Sequence, residues 1–145
     1  MDQALGKYGV LALRLSLGTL FLAHGLLKLL VFTIPGTVAY FEKLGFPGFF
    51  AYLTIFAELG GGLLLLTGTF TRWVALALLP LMIGATMQHV GNGWLFSAPG
   101  GGWEFPVFWI ASLVAQALLG DGAYALGPYL ARYLNARGLE PVARS

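Results

Sequence analysis

The sequence predicts an all-α fold, a transmembrane four-helix bundle with short interfacial helices. Three observations carry that expectation. Of the 145 residues, 58% are apolar and only 10% are charged, against about 25% charged in an ordinary soluble domain. The mean hydropathy is +0.80. The apolar residues also gather into four blocks, most of them near the roughly 20 residues that a helix needs to cross a bilayer. A chain with so little polar surface excludes a soluble monomer and a disordered tail. A net charge of +2 builds no basic patch, so no nucleic acid is expected as a partner; the lipid bilayer is. The chain has no cysteine, which excludes thiolate nucleophiles and cluster ligation by its own thiolates.

The first block runs over 8–32 and is interrupted by Arg14, His24 and Lys28. It is longer than the apolar core of a secretory signal, holds an Arg and a His, and has no small-residue cleavage site after it, so it reads as a span. The second block, 49–67, carries one acid, Glu58. The third, 73–90, has Pro80 near its middle; a proline there frees a carbonyl and kinks the helix, which predicts a cavity near mid-membrane. The fourth, 105–120, is short for a span, and Pro106 is tolerated in its first turn. Glycines and prolines fall between the blocks at 35–36, 45–48, 68–71 and 91–102. The short connections predict one membrane domain over 1–145. Two further segments have the composition of short interfacial helices. One is 123–137, where Tyr124, Tyr129 and Tyr133 stand among Arg132 and Arg137; the other is 37–44.

Four spans place Lys7, Arg72, Arg132, Arg137 and Arg144 on one side and leave Lys43 alone in the other loops. The positive-inside rule then predicts a multi-pass protein of the cell inner (plasma) membrane with both termini cytoplasmic.

The polar groups inside the blocks carry the functional information. A charge at membrane depth costs at least about 2.5 kcal/mol and is kept when it is paired, hydrated or functional. At 100° per residue, Arg14, Gly18, Phe21, Gly25 and Lys28 share a stripe about 80° wide, with His24 at its edge. This stripe is expected to face the bundle interior, and Leu13, Leu20 and Leu27 to face lipid. By rise alone, Arg14 and His24 bracket Glu58 in depth, each within about 10 Å, so either is expected to pair with it. Such a pair fixes helix packing, handles protons, or does both. At the outer side, Gln88, His89, Glu104 and Lys28 are expected to converge on one mouth; Glu104 also suits a helix N-terminus through the macrodipole. Between them, Trp94, Phe96 and Trp103 stand in a glycine-rich loop. That loop reads as an aromatic belt or as a lid over a flat or apolar ligand.

These motifs together resemble the DoxX family of small four-helix membrane proteins. The resemblance rests on Arg14, Gly18, Phe21, His24-Gly25 and Lys28, joined to Ala57-Glu58 and Gly60-Gly61-Gly62, then Thr71-Arg72, His89, Gly102-Trp103-Glu104 and Gly120-Asp121-Gly122. It covers about 11–126. The closing motif departs from the family's usual form: Asp121 stands where Pro is frequent, and Gly127 where an Asp is common. The family takes its name from membrane components associated with thiosulfate–quinone oxidoreduction, and other members are linked to thiol-redox or oxidative-stress complexes. The resemblance therefore implies a quinone-interacting subunit of a redox complex, an oxidoreductase component. In it, Glu58, His24, Lys28 and Arg14 would make proton or quinone contacts, and His89, Glu104, Trp94 and Trp103 would hold the cofactor. Electrons would come from a protein partner or a bound cofactor. A haem between His24 and His89 is disfavoured by their different depths. Two other readings stay open: a non-catalytic anchor or assembly subunit, and a small-solute or ion carrier that works as a homo-oligomer. No metal site is expected.

Overall fold

The structure, a computed structural model, describes residues 2–138; Arg144, one of the cations in the charge count, lies outside the described residues. Among the described residues all regular structure is helical. Helix α1 spans Gln3–Leu26 and runs on through a π-helical turn, Leu27–Val31. It starts before the apolar block because Asp2 caps it, accepting from the Ala4 amide at 3.2 Å. Helix α2 covers Ile34–Lys43, capped by Thr33, whose hydroxyl accepts from the Gly36 amide. Helix α3 covers Phe49–Thr67 and ends on Gly68 in the left-handed conformation, φ 69°. Helices α4 (Thr71–His89), α5 (Glu104–Leu119) and α6 (Gly127–Ala136) follow. The two short helices expected beside the membrane are thus α2 and α6.

Length separates the four expected spans into three long ones and one short one. Three helical stretches are long and apolar enough to cross a membrane: Gln3–Val31, Phe49–Thr67 and Thr71–Asn92. Helix α5 is apolar but has only 16 residues. Apolar side chains such as Phe56, Trp73, Phe108 and Leu118 are all more than two-thirds exposed, the arrangement of a protein whose outer surface meets lipid rather than water.

The long helices form two close pairs, α1 with α3 and α4 with α5. Glycine sets the first. A Cβ on Gly18 would come within 2.9 Å of the Leu66 amide nitrogen, and one on Gly62 within 2.8 Å of the Leu22 nitrogen. Only small residues let two backbones approach this closely. The buried face of α1 is Arg14, Leu17, Gly18, Phe21 and Gly25, which is four of the five predicted stripe residues with Leu17 added; the fifth, Lys28, lies in the π-helical turn and is half-buried. Leu13 and Leu20, however, are partly buried against the core, and of the three leucines expected to face lipid only Leu27 is exposed. The reason is that α1 packs on α5 as well as α3, so its buried sector is wider than the stripe.

The bundle has two distinct ends. At the terminal end, the segment after α5 is tied to the start of α1 and the α3–α4 connection. The Ala123 amide donates to the Lys7 carbonyl at 3.1 Å, and Gly127 to the Gly68 carbonyl at 2.9 Å. At the loop end lie α2 and the aromatic segment 93–103. Helix α4 is continuous through Pro80, which sits on its exposed side. The two grooves described below lie at the ends of the bundle.

Candidate functional site

Glu58 stands midway along α3 with 4% of its surface exposed. Its partner is Lys28. The ammonium lies 2.9 Å from Oε1, to which it donates a hydrogen bond, and 2.9 Å from Oε2. Oε2 has this ion contact but no hydrogen bond of its own. The expectation of Arg14 or His24 as partner is therefore corrected: His24 bonds to the Leu20 carbonyl instead, and for Arg14 the cause is helix register. Gly18 meets Leu66, Gly62 meets Leu22 and Gly25 meets Leu59. In this antiparallel register Leu26 is the α1 residue opposite Glu58, half a turn from Lys28. Arg14 is displaced from that level by about 18 Å at 1.5 Å per residue. The π-helical turn holds Lys28 in place, and π-turns recur at functional sites. Its carbonyl accepts from the Thr37 hydroxyl at 3.2 Å, a proton that hydroxyl shares with the Thr33 carbonyl at 2.8 Å. Thr37 is 3% exposed, so α2 closes the loop end above the ion pair.

His24 occupies the next turn of α1. Its Nδ1 lies 2.8 Å from the Leu20 carbonyl. A carbonyl only accepts, so Nδ1 carries a hydrogen, and in the neutral ring Nε2 is the acceptor. The ring stands edge-on to Trp109 of α5, centroids 4.9 Å apart. Trp109 also packs on Phe21 at 4.8 Å and on Phe105 at 5.5 Å. Its indole N–H is buried with no hydrogen-bond partner among the described residues, and buried indole donors ordinarily find an acceptor.

Arg14 does something else. It is 1% exposed and belongs to the terminal end. Its guanidinium donates to the backbone carbonyls of Asp121, Ala123 (3.1 Å) and Tyr124 (3.4 Å). Three residues of this segment, Gly120, Gly122 and Tyr124, have positive φ of 84°, 71° and 51°, which winds the chain around the cation. The non-glycine outlier Tyr124 is strained and is one of the residues held by Arg14.

At the loop end the expected convergence of Lys28, His89 and Glu104 is also corrected. Lys28 turns inward to Glu58. His89 Nδ1 donates to the Gly100 and Gly101 carbonyls at 3.1 and 3.0 Å. Glu104 Oε1 accepts from the Phe96 amide at 3.0 Å. Gln88 is exposed. His89 and Glu104 thus fasten the aromatic segment rather than lining a mouth with Lys28. Trp94 and Trp103 meet edge to face at 4.7 Å. Trp94, Phe96, Glu104, Phe105 and Phe108 line an open groove of about 530 Å³, and Phe105 links its floor to Trp109.

Sequence reasoning missed Trp109, Thr37 and the carbonyls that hold Arg14. A signal for Trp109 existed. Trp109, Ser112 and Gln116 recur at helical spacing inside an apolar block, and all three are buried.

Apolar outer surfaces around buried, paired charges define a helical integral membrane protein. This chain belongs to the DoxX family, whose model matches residues 9–91. That match takes in Arg14, His24, Lys28, Glu58 and His89 and stops before the aromatic segment. The chain is similar to "Putative oxidoreductase CatD" of Bacillus subtilis (strain 168), 33% identical over 130 residues, which cover 86% of this chain and 88% of that protein. It is also similar to "Inner membrane protein YqjF" of Escherichia coli (strain K12), 43% identical over 74 residues, covering 51% of this chain and 55% of that protein. No solved structure matches.

Proposed function

We propose that this protein is a quinone-interacting subunit of a redox complex in the cell inner membrane, with both termini cytoplasmic. The observation that carries the reading is the buried Lys28–Glu58 pair one helical turn from His24 and its Trp109 wall. An ion pair kept at this depth suits a group that must gain and lose protons. The relative named an oxidoreductase supports the same reading, and the one named an inner membrane protein supports the location.

The residues present fit a quinone. A quinone supplies a carrier of two electrons and two protons. The groove of Trp94, Phe96, Phe105 and Phe108 is flat-walled and apolar, and at about 530 Å³ it falls within the roughly 300–1,000 Å³ range of small-molecule sites. Trp109, which packs on the groove residue Phe105, has an unpartnered N–H, a donor suited to a carbonyl oxygen. His24 Nε2 and Glu58 Oε2 are the atoms at which this chain can hold a proton. Electrons come from a protein partner or a bound cofactor, since the chain contains no cysteine to ligate a cluster of its own.

Native mass spectrometry of the detergent-purified protein tests this reading, together with Glu58→Gln in membranes. The expected result is a retained isoprenoid quinone and loss of quinone-coupled turnover in the folded Glu58→Gln protein. Unchanged turnover with reduced thermal stability would make the pair a packing clasp and the protein an anchor subunit.

A further inference from the structure

The second groove lies at the terminal end, far from the ion pair, and has a volume of about 680 Å³. One wall is the first two turns of α1; the other is the segment after α5 together with α6. The Ala123 amide, bonded to the Lys7 carbonyl at 3.1 Å, closes its floor. Lys7 and Arg132 line opposite walls, and no acidic side chain lines the groove. Val10 and Leu119 continue it as an apolar track toward the membrane-crossing part of the helices, and Tyr124 and Tyr129 stand at its rim. Both tyrosines are more than two-thirds exposed, at the level where aromatic side chains meet headgroups.

We propose that this groove is a binding site for an anionic phospholipid, its phosphate between Lys7 and Arg132 and an acyl chain along Val10 and Leu119. Three features select this occupant together. Both charges are cationic, which favours an anionic headgroup. The groove opens at the end of the helices, where headgroups lie. Its apolar track is continuous with the lipid-facing surface, which a free anion would not use. Basic pockets at helix ends bind anionic headgroups through this same combination.

The full-length protein in nanodiscs of equimolar phosphatidylglycerol and phosphatidylcholine, released into native mass spectrometry, tests the proposal. The expected result is retention of phosphatidylglycerol over phosphatidylcholine by about thirtyfold, at roughly one contribution from each of the two basic side chains. Lys7→Gln/Arg132→Gln should abolish that preference. Gly6→Trp should abolish retention while keeping both charges. Gly6 lines the groove, and a Cβ there meets nothing within 4 Å, so a side chain can start into the groove from this position; an unchanged unfolding temperature checks that the fold is kept. Arg137→Gln is the control and should retain lipid as the native protein does, because Arg137 lies over the Tyr133 ring at 4.6 Å and is not in the groove. Equal retention of the two lipids would overturn the proposal. So would full retention in Gly6→Trp, which would mean long-range charge attraction only. Displacement of the lipid by inorganic phosphate would overturn it too, by making a free anion the ligand.

Discussion

Two cations stand on one face of α1, and the protein treats them differently. Arg14, at the terminal end, is 1% exposed and donates from Nη1 and Nη2 to three backbone carbonyls. Lys28, toward the loop end, keeps 19% of its side chain exposed and faces a carboxylate. A guanidinium is a rigid fork with five donors, suited to gathering fixed acceptors. An ammonium is a compact charge on a flexible stem, and its partner here can itself take up a proton. The first arrangement shapes the chain; the second can change state. Charge burial alone does not separate these two arrangements, whereas the chemistry of the partner does.

Removing Arg14 should have the largest effect. Arg14→Met leaves three inward-turned carbonyls without their donor, and bonds to a charged group contribute about 1.5–3 kcal/mol each. The expected loss is about 4 kcal/mol or more, read as a lowered unfolding temperature in detergent and as early proteolysis within 120–138. Loss of less than about 1 kcal/mol would erase the contrast with Lys28.

Lys28→Gln should cost about 3 kcal/mol by stranding Glu58. The double variant Lys28→Gln/Glu58→Gln should recover to within about 1 kcal/mol of the native protein while its quinone-coupled turnover stays lost. No second substitution should rescue Arg14→Met in the same way, since its acceptors are backbone. A double variant as unstable as the single would show that the pair's value is packing.

Thr37→Val should have the smallest effect, about 1 kcal/mol for one buried hydroxyl bond. It frees the Lys28 carbonyl and loosens α2. Hydrogen exchange confined to α2 and the π-helical turn would check it; exchange that spreads to the terminal end would mean that the two ends are coupled.

Much of this arrangement was legible in the sequence, because helical periodicity states which residues share a face. Arg14, Gly18, Phe21 and Gly25 proved to be buried together. Periodicity is silent on register between helices. The partner of Glu58 depends on Gly18 and Gly62 seating against the opposite backbone, and that seating moved Arg14 out of reach. Leu13 and Leu20 were misread for a related reason, since a second neighbour, α5, covers a sector that one helix's pattern does not reveal. The bonds of His89 and Glu104 to the aromatic segment run between side chains and loop backbone, where no periodic signal exists.

Helix α5 connects the loop end to the terminal end in 16 residues, about 24 Å of rise. A hydrocarbon layer is about 30 Å thick, so α5 as the fourth span would fall short of it. The shortfall would lie on one flank only, because α1 is longer. Lipid beside α5 would then have to thin while lipid beside α1 need not, giving the protein a lopsided dent in the bilayer. Two such dents cost less when they merge. Membrane elasticity would then bring molecules together α5 to α5, and would draw them toward thinner regions of the membrane.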